Sequence, residues 1–407
     1  MSKIHQVTDW VADSDADDET HGEMPFELKG VRYVKPLGKG AQGQVVLVRT
    51  ATRGLAALKW ASLSARRQDW DKHDLAREAR NLLALGEHPH INRMLDHGNE
   101  VKGSTRFLYV LLELHSGDLQ KWYSDYNNVP DKRTEWLVAG HRVLVQPEAV
   151  LRFMAVHGAR ALDHMQNKGF IHRDVKPANM GLKWDPEKPN EPIILLADLG
   201  FARQIADEKG KLVDLKDRDF QPATTWTYAG PRTLEDKPQY YLDDAHTLIF
   251  SLVRDFYIRG HHPMFNSMST EHHRHISNKP KFFQNPSDYI RNKQAFLKET
   301  FLSAPDRFLA ELAASDRVRP LLPEWLSSVI EGVHEQKDPE AKVDYRDIFE
   351  RKINLEERIE PESSNNKRGL SQSSRSPSVV APSIEAMADG FLGSTPQKKP
   401  YDKMVLF

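Results

Sequence analysis

Apolar and polar positions divide the chain into a part with short strand-like runs and a later part with helical spacing. From residue 31 the runs VRYVKPLG, GQVVLVR and GLAALKW are separated by turn residues, which predicts strands. TRFLYVLLEL (105–114) predicts another strand, whereas DLAREARNLLALGE (74–87) has helical spacing. The segments 149–169 and 243–260 also have helical character. A small sheet-rich part before a larger helical part predicts an α+β fold.

Segments of different composition flank and interrupt this pattern. The N-terminal residues contain DSDADDE at 13–19, which predicts a solvated or loosely attached acidic arm. Residues 124–147 are typical of an insertion before the long helix, and the C-terminal segment is rich in Ser and Pro, which predicts disorder. A docking role for the arm or the tail is the alternative. We therefore expect four parts, namely 1–30 (acidic arm), 31–112 (sheet-rich), 113–352 (helical) and 353–407 (tail).

Composition narrows the function classes. Lys plus Arg total 57 and Asp plus Glu 58, a net charge of −1, which argues against a whole-chain nucleic-acid or membrane-surface binder. The chain has no Cys, which excludes disulfides, thiolate metal sites and a Cys nucleophile. The polar, acidic N-terminus is unlike a secretory signal, and no apolar stretch reaches the length of a membrane span. We expect a cytoplasmic protein, or one in a host cytosol if it is a secreted effector.

A glycine-rich stretch points to phosphate chemistry. Gly38, Gly40 and Gly43 have G-x-G-x-x-G spacing and are followed by Val45. Glycines let backbone N–H groups approach phosphate oxygens without a Cβ in the way. A plain flexible turn is the first alternative, and a dinucleotide-binding loop, which would open a helix, is the second. Because strand-like runs lie on both sides, the sequence favours a hairpin lid over phosphates.

The run FIHRDVKPANM (170–180) carries the strongest signal. Three ionised side chains within four residues beside core-like sequence are costly to bury unless they are paired or used. His172, Arg173, Asp174 and Asn179 match the H-R-D-x-x-x-x-N pattern, and ADLG follows at 197–200 in the place of D-F-G.

With the glycine loop and a strand lysine, Lys59, these motifs occur in the order found in protein kinases. From about residue 31 to residue 352 the sequence resembles a divergent eukaryotic-type Ser/Thr protein kinase, with a bacterial eukaryotic-like kinase as one alternative. The resemblance implies a two-lobed fold. The N-lobe (31–112) would be small and β-rich with one main helix, and the C-lobe (113–352) would be larger and α-helical.

The resemblance also implies ATP, Mg²⁺ (with Mn²⁺ as the alternative) and a role for each matching residue. Asp174 would accept the substrate hydroxyl proton, Lys176 would steady the transferring phosphoryl group, and Thr225 would contact both. Lys59 would hold the α- and β-phosphates and pair with Glu78. The implied metal ligands are Asn179 and Asp198.

The implied nucleotide pocket draws on both lobes. Val45 and Ala57 would form its roof and Leu112 would be the gatekeeper. Glu113 and His115 would present hinge backbone to adenine. Asp118 would bind the ribose, and Asp244 would brace the catalytic loop. Four further residues would stack in a spine between the lobes, namely His172, Leu199, Leu82 and Met94.

Two positions depart from the family pattern. Gly181 stands where the family usually has a bulky apolar floor for adenine, so a neighbour such as Leu182 would have to compensate. Arg232 stands in the place of the glutamate of A-P-E, and Lys342 occupies the slot of its usual arginine partner. We hypothesise that Arg232 turns instead towards an acid such as Asp338 or Glu340, because a buried like-charge pair is unfavourable.

These features predict an ATP-dependent kinase that phosphorylates Ser and Thr in protein substrates and in its own chain, with the tail serines as candidate sites. A pseudokinase or nucleotide-binding scaffold is one alternative, and a small-molecule phosphotransferase of related fold is the other. His272, His273 and His275 in TEHHRHIS could suggest Zn²⁺, but no further ligand at a recognisable spacing supports it, so a solvated segment is favoured.

Overall fold

A computed structural model describes residues 5–6, 24–40, 43–63, 74–127, 135–138, 141–144, 147–185, 188–213, 228, 232, 237–253, 256 and 322–353. The predictions for Thr225, for the histidines at 272–275 and for the tail from residue 354 lie outside these residues, as does most of the acidic arm.

The described strands, in chain order, are β1 (His5–Gln6), β2 (Val31–Gly40), β3 (Gly43–Thr50), β4 (Gly54–Leu63), β5 (Met94–Lys102), β6 (Thr105–Glu113), β7 (Glu135–Val138), β8 (His141–Leu144), β9 (Phe170–Ile171), β10 (Met180–Asp185), β11 (Lys188–Leu196) and β12 (Arg203–Gln204). The described α-helices are α1 (Asp74–Leu85), α2 (Leu119–Asn127), α3 (Pro147–Asn167), α4 (Tyr241–Leu252) and α5 (Glu324–His334). None of these helices is both long and apolar enough to cross a membrane.

The N-lobe is built on one antiparallel sheet with strand order β2-β3-β4-β6-β5. The strand-like runs of the sequence correspond to β2, β3, β4 and β6, whereas β5 has a largely polar sequence, MLDHGNEVK, that gave no strand signal. The glycine loop is the β2–β3 hairpin, with Gly40 opposite Gly43. Gly43 has φ +140°, and a Cβ there would run into the carbonyl of Trp60 on β4. Only glycine therefore fits this turn.

The two faces of this sheet are covered differently. Helix α1 places Leu75, Leu82 and Leu85 in the main core, which continues into the C-lobe. On the other face, Phe26 is 3% exposed and lies 5.2 Å from Phe107, ring centroid to centroid. Residues just before the first strand of the sheet therefore complete the packing of the N-lobe.

The C-lobe is mainly helical, and the predicted α+β fold is confirmed. Every residue of helix α4 except His246 is buried, the pattern of a central core helix. Helix α3 packs beside it and contributes Met154, Leu162 and Met165 to the same core. Within the predicted insertion, β7 and β8 form a hairpin, and β1 of the acidic arm pairs with β7 in parallel. The arm thus contributes a short strand to the insertion.

Candidate active site

The polar run after β9 is held in place by hydrogen bonds to the buried helix α4. Asp244 of α4 accepts hydrogen bonds from the backbone N–H of His172 (2.6 Å) and of Arg173 (2.8 Å). Burial raises the pKa of Asp244, against the effect of His172 and these hydrogen bonds. Arg173 has φ +74°, a left-handed conformation that costs a non-glycine residue free energy. Asp244 holds the amides of His172 and Arg173 and so keeps the loop in its strained form.

This turn brings together two of the predicted catalytic residues, Asp174 and Lys176, and the predicted metal ligand Asn179. The Asp174 carboxylate is 2% exposed, and its Oδ2 lies 2.9 Å from Lys176 Nζ and 2.9 Å from Asn179 Nδ2. Asn179 Nδ2 also donates to the backbone carbonyl of Asp174 at 2.8 Å. Charge-assisted hydrogen bonds of this kind orient a carboxylate strongly. Asp174 is therefore a buried carboxylate in a fixed orientation with a cation beside it.

A second polar group joins the N-lobe to the segment after β11. Lys59 Nζ lies 2.7 Å from Glu78 Oε2 of α1 and 3.3 Å from Asp198 Oδ1. Burial alone lowers the pKa of Lys59, but these two carboxylates outweigh it, so the pKa is raised and the ammonium stays charged. The structure thus brings together a lysine, a helix carboxylate and an acid that is 139 residues from the lysine.

The two predicted metal ligands fit Mg²⁺ chemically. Asp198 keeps a side-chain exposure of 31%, and the amide nitrogen of Asn179 is used by Asp174, which leaves its Oδ1 for a cation. Magnesium prefers hard oxygen ligands and is usually bound by one or two protein groups together with substrate phosphates. Among the described residues, no group of three or more His, Asp or Glu side chains could hold a metal by itself.

The predicted pocket residues Val45, Ala57 and Leu112 lie on neighbouring strands of the N-lobe sheet. Ala57 pairs with Leu112 across β4 and β6, and Val45 pairs with Lys59 across β3 and β4. Glu113, at the end of β6, forms an ion pair of 2.6 Å with Lys183 of β10.

The hinge that follows is tied to the C-lobe by its backbone. Ser116 N–H donates to the Leu182 carbonyl at 2.7 Å, and Leu182 N–H donates to the Gly117 carbonyl at 2.8 Å. Asp118, the predicted ribose ligand, accepts the backbone N–H of Lys121 at 2.8 Å and so caps α2. Burial raises the pKa of Asp118.

Gly38, Gly40 and Gly43 lie in a hairpin whose described residues on both sides belong to strands. A dinucleotide-binding loop would lead into a helix instead, so this alternative does not fit the structure. The predicted spine residues His172, Leu199 and Leu82 are buried, and Met94 is partly buried against the same core.

Asn81 is a site residue that the sequence did not reveal. Its Nδ2 donates to the carbonyls of Leu199 (2.7 Å) and Ala202 (3.0 Å), which ties α1 to the segment that carries Asp198. The only sequence signal would have been an amide on the buried face of an amphipathic helix.

The prediction for Arg232 named the wrong acids. Its Nε donates to the Pro238 carbonyl at 2.9 Å and lies 3.9 Å from Asp243 Oδ2, and its guanidinium lies 5.0 Å from the centre of the Tyr240 ring. Asp243 is the first-turn neighbour of Asp244 on α4 and is 3% exposed. Arg232 therefore offsets the charge of Asp243, a buried acid on α4. The next residue of this helix, Asp244, holds the loop after β9.

Asp338 and Glu340 are used elsewhere. Glu340 accepts the Tyr240 hydroxyl at 2.8 Å, and Asp338 accepts the backbone N–H of Glu340 at 3.0 Å. Lys342 donates to Asn167 Oδ1 at 3.0 Å. The two cations of the predicted like-charge pair thus have separate partners.

Comparison with known proteins finds one matching family and several similar proteins. The family model described as "Protein kinase domain" matches residues 31–331, more than half of the chain. Mouse ribosomal protein S6 kinase alpha-2 is 27% identical over 167 residues, which are 41% of this chain and 19% of the relative. Human Rho-associated protein kinase 1 is 33% identical over 166 residues, 39% of this chain and 10% of the relative. Human ribosomal protein S6 kinase alpha-3 is 28% identical over 200 residues, 49% of this chain and 23% of the relative. The matched part thus spans less than a quarter of each of these relatives.

Proposed function

The chain belongs to the protein kinase family, and we propose that it transfers the γ-phosphate of Mg-ATP to Ser and Thr hydroxyls of protein substrates, its own chain included. One observation carries the proposal. The two polar groups, Asp174 with Lys176 and Asn179, and Lys59 with Glu78 and Asp198, are both assembled in the same structure.

The roles follow from what phosphoryl transfer requires, which is positioning and charge neutralisation. Asp174, held by Asn179, orients the substrate hydroxyl and accepts its proton as the new bond forms. Lys176 Nζ, 2.9 Å from Asp174, supplies positive charge where the phosphoryl group passes. Lys59, kept charged by Glu78, binds phosphate oxygens on the N-lobe side.

Magnesium, when bound, would neutralise part of the phosphate charge. Asn179 Oδ1 and the Asp198 carboxylate are the groups that would hold it. Because Asp198 also contacts Lys59, its carboxylate is oriented by the same ion pair that stabilises the N-lobe side of the site.

Radiolabelled ATP tests the proposal directly. We expect label on the wild-type chain or on an added generic protein such as casein, and none with Asp174→Ala. The matched control is Asp347→Ala, which removes an exposed carboxylate paired with the exposed Arg351 and should leave labelling unchanged. Absence of label on any protein while ATP still binds would contradict the proposal and favour the pseudokinase alternative.

The choice of hydroxyl is tested on the labelled protein. Lys176 is the residue that favours Ser and Thr, so acid hydrolysis should release phosphoserine or phosphothreonine. Phosphotyrosine as the main product would refute this part of the proposal. Label in a small-molecule fraction with none on protein would favour the small-molecule phosphotransferase alternative.

A further inference from the structure

Gly181 has no backbone reason to be glycine. It lies in β10, paired with Leu195 of β11, and its φ is outside the left-handed region that excludes side chains. In an extended strand any L-residue is accommodated, and glycine weakens the strand. A glycine here therefore indicates that something else occupies the space of its side chain.

The His115 ring occupies that space. A Cβ on Gly181 would lie 2.8 Å from His115 Cγ, 2.9 Å from Cδ2 and 3.1 Å from Nδ1. Contacts under about 3 Å are closer than van der Waals packing allows, and the atoms met are the ring root rather than a flexible end. A side chain at position 181 and the imidazole in its present place are mutually exclusive.

The imidazole is also held in one orientation. Its Nδ1 lies 3.0 Å from the Gly117 carbonyl, which can only accept, so Nδ1 carries the hydrogen. Burial lowers the pKa of His115, only partly offset by this hydrogen bond, which keeps the ring neutral with Nε2 as an acceptor. The backbone hydrogen bonds between Leu182 and residues 116–117 keep the hinge against β10.

Leu182 cannot supply the missing floor, contrary to the expectation from the sequence. Successive side chains of a strand point to opposite faces, so Leu182 faces away from the side on which a residue at 181 would project. It is 1% exposed and belongs to the C-lobe core. His115 is the side chain found on the Gly181 side.

We propose that His115 is the floor residue of the nucleotide site and determines how the site contacts the base. This inference rests on the proposed nucleotide site. The base would lie against a flat, neutral, hydrogen-bonding ring supplied by the hinge, in place of an aliphatic side chain supplied by β10. Positions 115 and 181 then act as one unit, since either can fill the floor but both cannot.

A double-mutant cycle on the full chain tests this, with ADP affinity measured by calorimetry. We expect His115→Ala to weaken ADP binding about fivefold to a hundredfold, the range for losing one stacked ring. Gly181→Leu should weaken binding by a similar factor, because leucine displaces the ring. Combined with His115→Ala, it should restore binding to above the level of either single variant. His97→Ala, which removes an exposed histidine of β5, is the matched control.

Additive losses in the double variant, or a His115→Ala affinity within about twofold of wild type, would overturn the inference. If Gly181→Leu does not fold, Gly181→Ala adds only the clashing carbon, and His115→Ala should relieve its effect. Failure of the wild type to bind ADP at all would refute the proposed function itself. The steric coupling is then read from melting temperatures, since Gly181→Ala should lower Tm in wild type but not in His115→Ala.

Discussion

Replacing Arg232 by alanine should destabilise the protein by an amount that grows with pH. The guanidinium lies 3.9 Å from the Asp243 carboxylate, which is 3% exposed, and it also bonds the Pro238 carbonyl and covers the Tyr240 ring. Burial raises the pKa of Asp243 to about 7, opposed by the Tyr240 N–H and by Arg232. The variant removes the cation and leaves the buried acid.

The direction and the size of this pH-dependent destabilisation follow from the pKa of Asp243. The pKa of Asp243 lies above its unfolded value of about 4, so the folded protein holds the proton between about pH 4 and pH 7, and this group lowers stability as pH rises through that window. Below about pH 7 the variant loses mainly the hydrogen bond and the ring contact, about 1–2 kcal/mol. Above about pH 7 it also loses attraction to the carboxylate. Because Asp243 can stay protonated instead, this extra loss is limited to about 1.4 kcal/mol per pH unit, or about 2 kcal/mol at about pH 8.5.

Thermal unfolding at two pH values measures the difference. With about 2 °C per kcal/mol for a chain of this size, Arg232→Ala should lower Tm by about 2–4 °C at about pH 6 and about 6–8 °C at about pH 8.5. Adding Asp243→Asn, whose amide oxygen can still accept the Tyr240 N–H, should remove the pH dependence. Arg351→Ala is the control, since this arginine is 68% exposed and its ion pair should contribute about 0.5 kcal/mol or less. Equal losses at both pH values, or a loss no larger than in the control, would refute the reasoning.

Three further predictions test other parts of the structure. Phe26→Ala should cost about 3–5 kcal/mol because the ring is buried on the outer face of the sheet, whereas Leu83→Ala, 57% exposed on α1, should change stability by about 0.5 kcal/mol or less; equal effects in a denaturant titration would show that residues before 31 do not complete the N-lobe. Lys59→Met should lower the rate of phosphate transfer about 10²–10³-fold with the circular dichroism spectrum unchanged, and a rate near wild type would remove Lys59 from the mechanism. Burial lowers the pKa of His88 to about 4 and of His157 to about 2, so the unfolded chain binds protons first and stability should fall as pH drops from about 6.5 to about 4; a wild-type slope equal to that of His88→Asn/His157→Phe would contradict this.

Local features of the sequence determined the order of elements and the polar run at 172–179. Asp174, Lys176 and Asn179 lie within six residues, so their spacing along the chain already restricts how they can meet. The runs that became β3, β4 and β6 are rich in apolar residues because both faces of the sheet are covered. The polar strand β5 is held as a strand by its pairing with β6 and was therefore invisible to pattern alone.

The tertiary structure alone decided which distant groups compensate each other. Motif order suggested that Lys59, Glu78 and Asp198 meet, but their distances and the tie through Asn81 depend on how α1 packs against the segment after β11. Gly181 and Arg232 depart from the family pattern. Each departure is explained by a contact with a side chain that the order of residues along the chain does not reveal. Van der Waals exclusion and the cost of a buried unpaired charge act between atoms in space, so the partners His115 and Asp243 emerge only when the chain is folded.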